Sequence, residues 1–218
     1  MANRRSNTAT HVWKKVPRVQ PYSACIGGSS DLIAGVAERY LSPGDLIADV
    51  TFGQGSFWRN VDLTPYNFYP SDLRSCPDAP YDFRHLPYRD RCMDVVVLDP
   101  PRTSRRRVSQ GTTGNDVSEL GLVAPEREAS FRLCLSGMRE ASRVLKHGGL
   151  LWVKCRDTSG SDKQYMEHIA IHDFAVNTLG FAVQDFFIQV SVAEPSYVTW
   201  HRPARKSHRY LWILRKAK

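Results

Sequence analysis

The stretch MDVVVLDPPRTSRRR, residues 93–107, limits the folds open to this chain more than any other part of it. Val95, Val96, Val97 and Leu98 are consecutive, so however a strand through them is pleated, apolar side chains face both sides. Such a strand needs cover on both faces, the condition of an inner strand in a parallel sheet flanked by helices. Asp99 ends the run, Pro100 and Pro101 follow, and Arg102, Arg105, Arg106 and Arg107 come directly after. The order reads as a buried strand ending at a polar rim, with positive charge beyond it.

The rest of the chain supplies the partners such a strand requires. DLIADV (45–50) runs into the glycine-bearing TFGQGSF (51–57), and YNFYPSD (66–72) repeats the pattern of an apolar run ending in an acid. Leu32, Ile33, Val36, Ala37 and Tyr40 recur at helical spacing after a Ser30-Asp31 cap. Phe131, Cys134, Leu135, Met138, Ala141 and Leu145 form a second stripe over 126–145, which His147-Gly148-Gly149 is expected to end. LLWVKC (150–155) is a strand; Ile169, His172, Ala175, Val176 and Leu179 predict a helix closed by Gly180; AVQDFFIQV and RYLWIL are late strands. Strands alternating with helices predict an α/β fold with a mainly parallel sheet and helices on both faces. Residues 102–125 and 156–163 read as loops on the rim at the carboxyl ends of strands, where open α/β sheets bind ligands.

With 218 residues, 42% apolar and 24% charged, one domain is expected: a basic irregular arm over 1–29, then a single unit over 30–218 with a basic segment at 201–218. The 30 Lys and Arg outnumber the 22 Asp and Glu, a net charge of +8 that suits a polyanionic partner. The five cysteines include no CxxC pair, which argues against a zinc site or a disulfide framework and fits a reducing cytoplasm. No apolar run reaches the ~20 residues of a membrane span and MANRRSNTAT has no signal-peptide core, so a cytoplasmic protein without membrane contact is expected.

Four acids and two glycines mark the expected site. Gly53 and Gly55, straight after a strand, let backbone approach a ligand, and Asp49 stands at the strand's end. Asp72 ends the second rim strand, about 20 positions on, where nucleotide-binding units place an acid for ribose hydroxyls. Asp82 is placed to meet a base amino group. Pro100 and Pro101 restrict the chain, so the Asp99 carboxylate and the Pro100 carbonyl form a fixed pair of acceptors. Two rigid acceptors suit one donor with two hydrogens, an exocyclic amine. Holding both N–H bonds aims the amino lone pair, and positioning supplies most of the catalysis.

The succession DLIADVTFGQGSF, YPSD, DFRHLPYRDRCMDVVVLDPP, EASRVLKHGGLLWVKCRDTSGSDKQ and ARKSHRYLWILRK resembles the S-adenosylmethionine-dependent DNA amino-methyltransferases, which modify adenine N6 or cytosine N4. The likeness covers about residues 30–216 and is closest to small stand-alone members. It implies a class I methyltransferase (Rossmann-like) fold with an antiparallel final strand and S-adenosylmethionine as cofactor. By the same resemblance Asp49, Phe52, Gly53 and Gly55 would line the methionine part of the cofactor, Asp72 its ribose and Asp82 its adenine. Asp99, Pro100 and Pro101 would hold the target amine, and an Asp heading this motif leans toward adenine N6 over cytosine N4. Arg102 stands where the family usually has an aromatic residue to stack on the base; a guanidinium can stack as well. Phe57 and Trp58 stand where the family often has small residues.

A base in a duplex must leave the stack to reach such a site, so basic grip is expected from Arg105, Arg106, Arg107, Lys163, Arg202, Arg205, Lys206 and Arg209. DNA is the expected partner, with two alternatives left open: an RNA base methyltransferase, and a nucleic-acid-binding methylase homologue that no longer transfers methyl groups. The chain leaves little room for a recognition domain, so sequence choice should be short or relaxed, or supplied by a homodimer or a partner. DPPR also occurs in RNA uracil C5 methylases that use a cysteine nucleophile, but Cys155 lacks their SCNP surroundings and reads as packing. His168 and His172 share a helix face without a third ligand nearby, so packing or solvent contact is expected of them rather than a metal.

Overall fold

The computed structural model describes residues 22–100, 126–159, 164–191 and 206–218. Nine strands and three α-helices follow one another along these segments: β1 (Ala24–Ile26), α1 (Ser29–Tyr40), β2 (Leu46–Asp49), β3 (Asn67–Pro70), β4 (Met93–Leu98), α2 (Glu126–Val144), β5 (Leu145–Cys155), β6 (Thr158–Ser159), β7 (Gln164–Tyr165), α3 (Glu167–Asp173), β8 (Phe181–Val190) and β9 (His208–Lys216). Seven strands form one sheet in the order β1-β8-β9-β5-β4-β2-β3, and β6 and β7 form a separate hairpin. Pairing is parallel throughout the main sheet except at β9, which runs antiparallel to both β5 and β8.

The apolar run Val95–Leu98 lies in β4, an inner strand of the sheet between β5 and β2. Val95 and Val97 face one side, packed with Leu32, Ile33, Val36 and Ala37 of α1, while Val96 and Leu98 face the other, with Cys134, Met138 and Ala141 of α2. All four are 2% exposed or less, and each such side chain contributes roughly 1.5–3 kcal/mol by leaving water. Trp152 of β5 and Leu211 and Ile213 of β9 extend the α1 face; Val153, Trp212 and Leu214 extend the α2 face. The sheet is therefore covered on both sides, as a run without alternation demands.

Several local expectations need correction. Residues 24–26, expected to be irregular, form the edge strand β1 on β8. The α2 helix stops at Val144, because Leu145 already pairs with Met93 of β4; His147, Gly148 and Gly149 lie in a bulge of β5, where Gly148 takes φ +77°. The expected stripe on α3 holds at Ala175, which is buried, but Ile169 is exposed and Ile171 is buried in its place, and residues 174–178 widen into a π-helical turn. The segment 156–163 is not wholly a loop, since Thr158 and Ser159 pair with Tyr165 and Gln164. The loop 102–125 and most of the basic arm lie outside the described residues. Among the described residues, no helix is long and apolar enough to cross a membrane.

Candidate active site

β2, β4 and β5 end together on one rim, and the chain leaving β2 is stitched to its neighbours there. The Val50 amide donates to the Val97 carbonyl (3.1 Å), the Ser71 amide to the Asp49 carbonyl (2.8 Å) and the Phe52 amide to the Ser71 carbonyl (3.1 Å). Gly53 and Gly55 take φ +58° and +70°, values that side chains resist. A Cβ on Gly55 would lie 2.6 Å from the Phe52 ring, so only glycine allows that ring to fold over the turn. Gly53 opens outward, its nearest neighbour being the Thr51 carbonyl at 4.0 Å. A side chain would thus meet open space at Gly53 and the Phe52 ring at Gly55.

Asp49 is turned inward. It is 2% exposed and accepts hydrogen bonds from the Trp58 indole N–H (2.6 Å) and the Thr51 amide (3.0 Å). Burial pushes its pKa up to about 7 against the pull of those donors, and the Asp99 charge adds to the rise. In this arrangement the acid braces the glycine turn from below. Phe57 and Trp58 do not crowd the rim: both are buried on the α1 face, with Trp58 stacked on Trp152 at 6.0 Å between centroids.

The second wall is carboxylate-lined. Asp72 accepts from the amides of Arg74 (2.9 Å), Ser75 (2.8 Å) and Gly53 (3.2 Å). Partial burial raises its pKa, but those donors outweigh it and hold the group below the usual carboxylate range. The bond to Gly53 places the carboxylate directly beside the backbone of the turn. Asp82 is engaged by its own neighbour: the Arg84 side chain reaches both oxygens, the Nε at 2.9 Å from each, and holds the acid's pKa down. Any contact of Asp82 with a ligand would share the carboxylate with that guanidinium.

Asp99 continues β4 by one residue. Leu98 is in register with Val153, so the next rung sets Asp99 beside Lys154, and the Lys154 ammonium donates to Asp99 Oδ2 at 2.8 Å. On the other flank, the register of Asp49 with Val97, carried two residues on, sets Thr51 beside Asp99; the Asp99 amide donates to Thr51 Oγ1 at 2.7 Å. The acid is thus held through its backbone and through one oxygen while its side chain stays 33% exposed. Lys154 is 7% exposed and its ammonium also lies over the Phe57 ring, 5.2 Å from the centroid. Pro100 lines a cleft with Phe131 and Cys134 of α2, Lys154 and Cys155 of β5, and Ile171 of α3.

The antiparallel course of β9 brings its first residues to the same rim, since His208 pairs with Val190 and Tyr210 with Cys155 at the ends of β8 and β5. Lys206 and Arg209 therefore stand on the same rim as Asp99, with β5 between β9 and β4. Pro101, Arg102, Arg105, Arg106, Arg107, Lys163, Arg202 and Arg205 lie outside the described residues. Cys155 is buried in the α2-face core. His168 bonds through Nδ1 to the buried Asp157 at 2.7 Å, and the His172 ring tilts against Trp212.

Sequence reasoning missed Lys154, Thr51 and Trp58 as members of the site. The two rim partners of Asp99 were legible in principle, because each follows from strand register, but register is fixed by pairing across 48 and 55 positions of chain. Trp58 gave no local signal; its indole finds Asp49 only because the turn folds back under the strand end.

No protein-family model matches this chain, and no curated protein matches it. Solved structures do. A SAM-dependent methyltransferase from Methanosarcina mazei superposes with TM-score 0.52 at 13% identity, covering 84% of this chain and 97% of that one. The [4+2]-cyclase SpnF gives TM-score 0.53 at 16% identity over 86% and 80%. TrmN from Thermus thermophilus gives 0.52 at 18% identity, covering 87% of this chain and 50% of its own, so the chain spans about half of that protein. One fold thus carries more than one named activity, and the reaction has to be argued from the rim. What the likeness shows is the fold: this chain shares the class I methyltransferase fold, a mainly parallel seven-stranded sheet with helices on both faces and an antiparallel last strand.

Proposed function

We propose that this chain transfers a methyl group from S-adenosylmethionine to the exocyclic amino group of a nucleic-acid base, adenine N6 in DNA first and cytosine N4 second. The observation that carries the reading is the Asp99 corner: a solvent-reachable carboxylate one residue past the end of β4, tied by its amide to the glycine turn and by Oδ2 to Lys154. Oδ1 and the Pro100 carbonyl are the pair assigned to the two N–H bonds of the amine.

The residues beside the corner suit the cofactor. Backbone opens outward at Gly53, and the Asp72 carboxylate stands next to it, ready for a vicinal diol. When bound there, S-adenosylmethionine supplies an electrophilic methyl on a sulfonium. Asp99 and Pro100 would then aim the amine lone pair at that methyl; as the nitrogen–carbon bond forms the carbon–sulfur bond breaks, its electron pair staying on sulfur as a neutral thioether, and the nitrogen sheds one proton to Asp99, from which water can take it. Nothing in this scheme needs a covalent enzyme intermediate, and the buried thiol of Cys155 has no part in it. Lys206 and Arg209, with the arginines after the motif, would grip phosphates around a base swung out of its stack.

The test is methyl transfer to duplex DNA, single-stranded DNA and RNA in parallel, with the methylated nucleosides identified by mass. N6-methyladenine in duplex DNA at short or relaxed sites is the expected product. N4-methylcytosine would move the target base, a product confined to RNA would move the substrate, and no product from any of the three would overturn the reading.

A further inference from the structure

We propose that Lys154 is a positioning residue for Asp99, fixing one carboxylate oxygen so that the other is presented to the substrate amine. The inference rests on the function proposed above and assigns that site a member no motif singled out.

The geometry carries it in three steps. Lys154 occupies the α1 face of β5 after Leu150 and Trp152, both in the apolar cluster there, so its side chain enters a region built to exclude charge. Burying an ammonium costs several kcal/mol unless it is well paired. Its ammonium meets the Asp99 oxygen at 2.8 Å and the face of Phe57 at 5.2 Å, and both lie at the rim.

The pair is also lopsided. The lysine is 7% exposed and the aspartate 33%. A pair serving stability alone gains little from desolvating a cation for the sake of an acid that water still reaches. The burial makes sense as an anchor, because a rigid lysine enclosed by packing fixes a carboxylate that would otherwise rotate about its own side-chain bonds.

Finally, the anchoring is two-point. Thr51 Oγ1 receives the Asp99 amide at 2.7 Å and settles the backbone, while Lys154 settles the carboxylate plane. β2 and β5, the strands on either side of β4, thus both hold the one residue that emerges between them. Angular misplacement of a reacting group is what enzymes can least afford, and loss of such an anchor lowers turnover by about 100-fold.

The experiment is a double-mutant cycle in the full chain, read by steady-state methyl transfer on whichever nucleic acid the native protein methylates. Lys154→Met is expected to lower kcat by about 100-fold while leaving both KM values within about 3-fold. Lys154→Arg, which keeps a cation in reach, should recover to within about 10-fold of the native rate. In an Asp99→Asn background, Lys154→Met should change kcat by less than about 3-fold, because the lysine acts through a carboxylate no longer there. Should Lys154→Met lose its circular dichroism, Lys154→Gln carries the same comparison. Equal losses in both backgrounds, an effect on KM alone, or a native-like kcat in the methionine variant would overturn the positioning role. A native protein that transfers no methyl to any nucleic acid would overturn this role together with the function it rests on; native transfer with an indifferent Lys154 overturns the role alone.

Discussion

The two ends of the sheet treat charge in opposite ways. At the amino ends of the strands, the Arg143 guanidinium donates to Glu140, to Asp90 and to the carbonyls of Leu86 and Tyr88. Lys146 donates to both oxygens of Asp94, which also receives the Leu46 amide, and Lys216 donates to the carbonyl of Leu145 past the end of α2. Each of these three cations is answered by acids or carbonyls of its own surroundings, and Arg143 lowers the Glu140 pKa accordingly. At the carboxyl ends, Asp49 is buried with no cation against it among the described residues, Asp72 is met by backbone amides and the Ser75 hydroxyl, and Asp99 shares one buried lysine. Charges at the floor are satisfied within the fold; those at the rim are held in place and left partly open. That difference separates a structural polar network from one suited to a ligand.

Substitutions at the two ends should therefore fail in different ways. The largest effect belongs to the rim: Asp99→Asn, which keeps the shape and one acceptor, should lower methyl transfer by about 1,000-fold. Cofactor affinity, measured by calorimetry, should stay within about 3-fold, since the Gly53–Asp72 wall is untouched. The floor should show the reverse. Arg143→Met leaves Asp90 and two carbonyls without their donor and should cost about 2 kcal/mol in urea unfolding, with turnover per folded molecule unchanged.

The smallest effect sharpens the contrast through pH. Asp49 has its pKa raised from 3.8 to about 7, so between those values the folded chain keeps a proton that the unfolded chain has released. Its contribution is full below pH 4 and is lost as pH rises through 7. Asp49→Asn mimics the protonated acid and removes this dependence. Between pH 5 and pH 8 the native Tm should fall by at least ~3 °C more than that of the variant, on the basis of roughly 2–4 °C per kcal/mol. Parallel curves for the two proteins would show that the buried carboxylate does not titrate in this range.

How much of this was legible depends on the range of the interaction. Val95–Leu98 announced an inner strand because four adjacent apolar side chains leave no solvent face, and that holds whatever the partners are. The glycine turn was legible because Gly53 and Gly55 need backbone angles set locally. β1 was not, since Ala24–Ile26 is too short to show a period and becomes a strand only by lying on β8, more than 160 positions away. The end of α2 was misjudged because His147-Gly148-Gly149 has the composition of a helix stop, while the actual stop is imposed by Leu145 pairing with Met93. For the candidate site, the identity of the acids came from sequence and their orientation did not. Asp49 reads as a ligand-facing acid by its place at a strand end, yet Trp58 and Thr51 turn it inward.

Sequence alone therefore determined the layering of this protein and the rim on which its acids gather, because hydrophobic periodicity and glycine geometry act over a few residues. Only the tertiary structure decided which acid stays reachable, which is buried, and that a lysine from the next strand holds the reachable one. Those outcomes depend on register between strands far apart in the chain and on burial, and neither quantity exists until the sheet is assembled.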